Sequence, residues 1–279
     1  VFEIPAPNDP SGLAEDNLIL EIAEGIAVAT INRPGARNAM AGELRERLMA
    51  WLEDVRTNAD VRVVLIRGAG KSFIAGGDIK AFGEGLKMSA EDRSADMRRR
   101  AAGAGKLNVI INTLPHPVIV AARGPAVGVG ASVIFAADLA IVSDNAKVGL
   151  THVGLGISPD GAGTHFLPRQ VGLKRAAQIA LLGEMLGADE LLSMGLVNWV
   201  VPDEELDDRA VALARKIAAG APAAQQETKK LLNAAFDRDL EAQVVAEADA
   251  LGRCALTDDY AEGLGAMLEK RKAVFGKAK

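Results

Sequence analysis

An α/β fold that closes with a helical region is predicted by three observations. Short β-branched runs stop at glycine or proline breakers, helical periodicity fills the intervals between them, and beyond Val201 the texture turns to Ala, Leu, Glu and Lys without a strand pattern. In chain order, Ile26 to Ile31 (IAVATI) reads as a strand ended by Asn32-Arg33-Pro34-Gly35. From Met40 to Thr57, Leu44, Leu48, Trp51, Leu52 and Val55 recur at three and four positions, the period of a helix. Val61 to Ile66, Pro117 to Ala122 and Leu139 to Val142 are further strands, with a helix over Ala95 to Thr113 before the second. The final region divides into helical segments Asp203 to Gly220, Pro222 to Phe236, Leu240 to Leu256 and Asp258 to Phe275. Pro222 suits a first helical turn, where its missing N–H costs little. The expected organisation is an arm over 1–17, an α/β core over 18–202 and a helical region over 203–279.

A chain of 279 residues, 49% hydrophobic and 25% charged, can bury one large core. Its net charge of -5 disfavours nucleic acid, and the short cluster Arg98-Arg99-Arg100 is offset by Glu91, Asp92 and Asp96. A single cysteine, Cys254, allows neither an internal disulfide nor a cysteine-rich metal site. Three scattered histidines make no metal site either. Val1 to Ser11 lacks the basic start and apolar run of a secretory signal. The most apolar stretch, Val118 to Val142, is interrupted by Arg123, Pro125, Ser132 and Asp138, which argues against a membrane span. A cytoplasmic protein is the expectation.

Two glycine-rich segments look like phosphate loops and fail on detail. Gly70-Lys71-Ser72 would end a P-loop, but Leu65 stands where its first glycine belongs, and no uninterrupted helix follows. Gly128-Val129-Gly130 lacks the third glycine of a dinucleotide fingerprint, since Val133 stands there. Glycine loops also let backbone N–H groups approach a ligand oxygen without intervening side chains. Two such turns, at Gly76-Gly77-Asp78 and at Gly128-Val129-Gly130, can aim donors at one oxygen.

In order along the chain stand Asn32-Arg33-Pro34 with Asn38-Ala39, then Phe73 to Lys80 (FIAGGDIK), Pro117 to Gly124 (PVIVAARG), Gly128 to Ser132 and Ala137-Asp138. Gly154 to Ile157, Gly161 to Thr164, Leu167 to Arg169, Gly195 to Val197 and Glu269 to Lys272 follow. This ordered set, from about Leu18 onward, resembles the enoyl-CoA hydratase/isomerase (crotonase) family. The resemblance implies a spiral of ββα units whose helical C-terminal region packs subunits as trimers or dimers of trimers. It implies an acyl-CoA thioester as substrate, with coenzyme A as part of that substrate and no separate cofactor.

The same resemblance implies that the N–H groups of Gly77 and Val129 hold the thioester oxygen, stabilising the enolate formed when an α-proton leaves; one such donor is worth roughly 2.7–4 kcal/mol. Where the family commonly has glycine, this chain has Val129. Where its hydratases carry two glutamates stand Ser132 and His152, neither a simple replacement for a carboxylate. Asp160, in Ser158-Pro159-Asp160-Gly161, occupies the place of a single catalytic acid in some enoyl-CoA isomerases, and of a nucleophile in a haloaromatic acyl-CoA dehalogenase. A double-bond shift through Asp160 is therefore expected. Hydration or hydrolysis with His152 or Asp160 activating water is the second reading, and a noncatalytic acyl-CoA binder the third. A turn role for Asp160 and a pocket-wall role for His152 are the structural alternatives. Substrate contacts are expected along Arg33, Ala36 and Arg37, along Ala75, Asp78, Ile79 and Lys80, at Ser132, and from Lys270 toward a neighbouring subunit.

Overall fold

The computed structural model describes residues 17–276, so the expected arm lies, apart from Asn17, outside the described residues. β1 (Leu18–Ala23) and β2 (Ile26–Ile31) form an antiparallel hairpin turned by Glu24 and Gly25, both at positive φ. α1 (Gly42–Thr57), β3 (Val63–Gly68), α2 (Ile79–Gly85), α3 (Ala90–Thr113) and β4 (Val118–Ala122) follow. Next come β5 (Pro125–Val127), α4 (Val129–Ala136), β6 (Leu139–Ser143), β7 (Lys147–Gly149) and α5 (Gly163–Leu182). β8 (Leu186–Gly187), α6 (Ala188–Ser193) and β9 (Trp199–Val201) complete the sheets, and α7 (Leu206–Ala218), α8 (Pro222–Asn233), α9 (Leu240–Ala255) and α10 (Asp258–Leu268) end the described chain.

The main sheet runs β1-β2-β3-β4-β6-β9, parallel from β2 onward, and a smaller one runs β5-β7-β8. Successive strand residues face opposite sides, and both sides are apolar here. Ala27, Ala29, Ile31, Val64, Ile66, Val118 and Val120 share a buried cluster with Leu44, Leu48 and Leu52 of α1 and Leu107 and Ile111 of α3. Ile26, Val28, Val63, Leu65, Ile119 and Ala121 share the other with Leu206, Ala210 and Ala214 of α7. After β4 the chain bends at Gly124 (φ +55), where a Cβ would overlap the Lys71 carbonyl oxygen, and so leaves the main sheet to form β5 in the small one. β6 and β7 repeat this step, which is the expected spiral of ββα units.

Some boundaries differ from the sequence expectation for visible reasons. α3 begins at Ala90 rather than Ala95, because Ser89 caps it by accepting the Asp92 N–H; the charges of its first turns conceal the helical period. α10 ends at Leu268 rather than Phe275: Lys270 turns left-handed (φ 54), and Arg271 folds back onto Glu262 (2.6 and 2.9 Å). α5 was unexpected, since it contains Pro168 and a break at Gly172 (φ 76, ψ 161).

Candidate active site

The site is assembled on backbone before any catalytic side chain enters. Asn38, wholly buried, donates from Nδ2 to the carbonyls of Ala69 (2.8 Å) and Ser72 (2.7 Å), and its Oδ1 accepts the Arg33 N–H (2.8 Å). One amide thereby fastens the loop after β2 to the loop after β3. The segment after Phe73 then lies strand-like between two neighbours: Ala75 N–H donates to Arg37 (3.1 Å), Met40 N–H to Gly76 (2.9 Å), and Val127 N–H to Ile74 (2.9 Å). Gly76 holds φ +94, a conformation that favours glycine. Because these bonds use the residues around it, the N–H of Gly77 engages no backbone acceptor among the described residues.

α4 supplies the second donor. Its first hydrogen bond runs from Ser132 N–H to the Gly128 carbonyl (3.0 Å), which leaves the Val129 N–H without an acceptor inside the helix. At Gly130 a Cβ would overlap the Ile74 carbonyl oxygen, so glycine alone lets the start of α4 press against the Ile74–Gly77 segment. Gly77 and Val129 both line a cavity of about 670 Å³, together with Ala75, Asp78, Ile79, His152 and Asp160.

Asp160 Oδ1 lies 3.2 Å from His152 Nε2, and the Asp160 side chain is 30% exposed. Its turn is fastened from behind. Ser132 Oγ donates to the Asp160 carbonyl (3.3 Å), Gly163 N–H donates to the same oxygen (3.1 Å), and Asn108 Nδ2 donates to the Gly161 carbonyl (2.6 Å). Ser132 and Asn108 are fully buried. This corrects the expectation for Ser132: it does not line the cavity, and its hydroxyl serves the turn that carries Asp160. His152, also on the cavity wall, is 8% exposed with a buried, partnerless Nδ1 and meets the carboxylate through Nε2.

The remaining expected contacts divide by position. Asp78 caps α2, accepting the N–H groups of Lys80 (3.1 Å) and Ala81 (3.4 Å), and pairs with Arg33 Nη2 (3.5 Å). Arg33 also donates to the Ala39 carbonyl (2.6 Å), so its charge braces the loop. Ala36, Arg37 and Lys80 are exposed and outside the cavity lining, and Lys270 is exposed just beyond α10. The structure adds Met40, Arg45, Thr151 and Ile157 to the cavity wall, alongside Phe82 of α2 and Met97 and Arg100 of α3. Arg45 is the instructive omission. It lies three residues from Leu48 and seven from Leu52 of the buried stripe of α1, and a charge on that edge was the available signal.

A sequence profile described as enoyl-CoA hydratase/isomerase matches residues 21–278. The chain is 38% identical over 264 residues to the crotonyl-CoA hydratase of Syntrophomonas wolfei, covering 94% of this chain and 99% of that protein. It is 33% identical over 265 residues to the 1,2-epoxyphenylacetyl-CoA isomerase of Escherichia coli, covering 92% and 97%. The crystal structure of an enoyl-CoA hydratase from Bacillus anthracis superposes with a TM-score of 0.87 at 32% identity, covering 93% of this chain and 99% of that one. On these matches, and with its ββα spiral and helical C-terminal region, the chain belongs to the enoyl-CoA hydratase/isomerase (crotonase) family.

Proposed function

We propose that the protein shifts a double bond in an enoyl-CoA, from the 3- to the 2-position or in a related ring isomerisation, with Asp160 as its single proton carrier. The observation that carries this reading is the Asp160 carboxylate, bonded to His152 in a cavity that Gly77 and Val129 also line, whereas Asp78 in the same cavity is engaged by Arg33 and the start of α2. With the thioester oxygen between those two N–H groups, Asp160 takes the proton from the carbon between thioester and double bond. The C–H electron pair forms a double bond to the thioester carbon while the carbonyl π pair moves onto the oxygen, giving a dienolate. When the carbonyl re-forms, that double bond moves to the 2-position, and the pair of the old one is left to take a proton at the far carbon. As the oxygen's charge returns, the far carbon takes the same proton from Asp160, and the carboxylate is regenerated. His152, donating from Nε2, holds the carboxyl in one orientation.

Coenzyme A is carried as half of the substrate, with Arg33, Ala36, Arg37 and Lys80 flanking its path and Lys270 reaching it from a neighbouring subunit. The apolar residues Leu240, Val244, Val245 and Leu251 of α9 and Met267 and Leu268 of α10 are exposed in the single chain, which supports a homotrimer or dimer of trimers. Among the described residues no helix is long and apolar enough to cross a membrane.

Hydration of a 2-enoyl-CoA, with Asp160 or His152 activating water, is the second reading, supported by the hydratase name of the Syntrophomonas relative. Turnover in heavy-oxygen water separates the two. Isomerisation yields unlabelled 2-enoyl-CoA, whereas a labelled hydroxyacyl product would replace the first reading with the second.

A further inference from the structure

The wall of the cavity formed by α1 and α3 is cationic, a property the double-bond shift does not use. Arg45, Arg99 and Arg100 all line it. Arg99 and Arg100 share Asp96, with Arg100 Nε 2.5 Å from Oδ2. Arg45 is different. The only hydrogen bond of its side chain among the described residues is from Nη1 to the Arg100 carbonyl (3.3 Å); its Nε is buried without a partner, and no described carboxylate pairs with it. A guanidinium offers five donors, and a partnerless buried one is costly.

Stability does not account for Arg45. It sits in the first turns of α1, close to the positive end of the helix dipole, where a cation is disfavoured. Its seat is also a built one. A Cβ on Gly103 would lie 2.5 Å from Nη2 and 2.6 Å from Cζ, so a glycine inside α3 leaves room for the flat guanidinium; such a glycine costs roughly 0.5–1 kcal/mol relative to alanine. Glu46 lines the same cavity but follows Arg45 directly, and adjacent residues do not share a helix face.

The position of this wall relative to the oxyanion donors follows from Phe82. Its ring covers Gly77, where a Cβ would lie 2.7 Å from Cζ, and Arg100 lies over the same ring, 5.5 Å from its centroid. The ring thus separates the thioester end from the arginine wall. Arg45, bonded to the carbonyl of Arg100, belongs to the arginine side of that ring.

We infer that Arg45 is a specificity residue for a carboxylate at the far end of the acyl group, so that the substrates are CoA thioesters of dicarboxylic acids. This rests on the acyl-CoA reading of the cavity but not on which reaction follows. A guanidinium pairs with a carboxylate through two parallel N–H bonds, which would occupy donors that now lack acceptors.

The test is binding of two saturated, unreactive probes, hexanoyl-CoA and adipyl-CoA, by calorimetry. The wild type should bind adipyl-CoA tighter by roughly tenfold or more, the scale of a hydrogen-bonded charge. Arg45→Met should erase the preference, and Gly103→Ala, which crowds the guanidinium without removing it, should reduce it. Equal binding of the two probes by the wild type would overturn the inference. So would a loss in Arg45→Met that is equal for adipyl-CoA, hexanoyl-CoA and free coenzyme A, which would assign Arg45 to the coenzyme's phosphates. Because the probes do not turn over, a failed isomerase assay leaves this result intact, whereas failure to bind any acyl-CoA would sink both readings.

Discussion

Two acid–base pairs in this molecule make opposite use of similar chemistry. Asp138 and Lys229 join the end of α4 to α8 across a buried seam. Lys229 donates to Asp138 Oδ2 (2.6 Å) and to the carbonyls of His116 (3.1 Å) and Ile111 (3.3 Å), while the same carboxylate oxygen accepts the Val118 N–H (2.7 Å). Burial pushes the Asp138 carboxyl up and the Lys229 ammonium down from their ordinary values, each opposed by the other's charge. Every donor of that ammonium is in use. Asp160 and His152 meet through one bond, and the carboxylate keeps bonding capacity facing a cavity. A saturated pair can only hold structure together, whereas a pair with spare capacity beside empty space can exchange a proton with something that enters.

This contrast can be broken by substitution. Asp160→Asn removes the carboxylate proposed to carry the proton while keeping the side chain's shape; turnover should fall by about 10³–10⁴-fold with acyl-CoA binding retained, read by steady-state kinetics and calorimetry. Undiminished isomerisation would place the chemistry elsewhere. Lys229→Met strands the Asp138 carboxylate and should cost about 3–5 kcal/mol in urea unfolding, with turnover per folded molecule unaltered. Loss of activity without loss of stability would show that Lys229 serves the chemistry rather than the seam. His152→Phe keeps a flat ring but removes the orienting bond, so kcat should fall by roughly three- to tenfold while KM holds; a loss as large as that of Asp160→Asn would make the histidine a proton carrier itself.

The smallest effect concerns the brace between α8 and α9. Hydrogen bonds from Arg253 and Lys230 lower the Glu227 carboxyl from 4.5 to about 2. A lowered carboxyl stabilises the fold above its unfolded value and loses that contribution as pH falls through the folded one. Glu227→Gln should therefore cost under about 1 kcal/mol at neutral pH and converge with the wild type as pH falls from 4.5 toward 2. A gap that persists at the acid end would show that the carboxylate's charge is not what braces the helices.

Legibility in the sequence followed the range of the interaction. Ile26–Ile31 and Leu44–Val55 were readable because burial imposes a local period on the residues themselves. The paired donors were visible as glycines in two loops. Ser132 was misplaced because a serine looks the same in sequence whether it faces substrate or core; only the fold shows the Asp160 turn lying across it. Asn38 stood among the family motifs, but its bonds to Ala69 and Ser72 span more than thirty residues, and no local pattern announces such a staple. Arg45 acquires meaning only when α3 brings Gly103 beside it.

The contact at Gly130 bears on how such a protein changes its chemistry over generations. With the start of α4 touching the Ile74 carbonyl and no side chain admitted between them, the two amide-bearing segments are inherited as one rigid part. A lineage cannot tune one donor against the other by small steps, because any added atom at Gly130 moves both. What remains free to vary is the pair of side chains at His152 and Asp160 on the cavity wall. New reactions would then arise by exchanging proton carriers around a fixed cradle for negative charge.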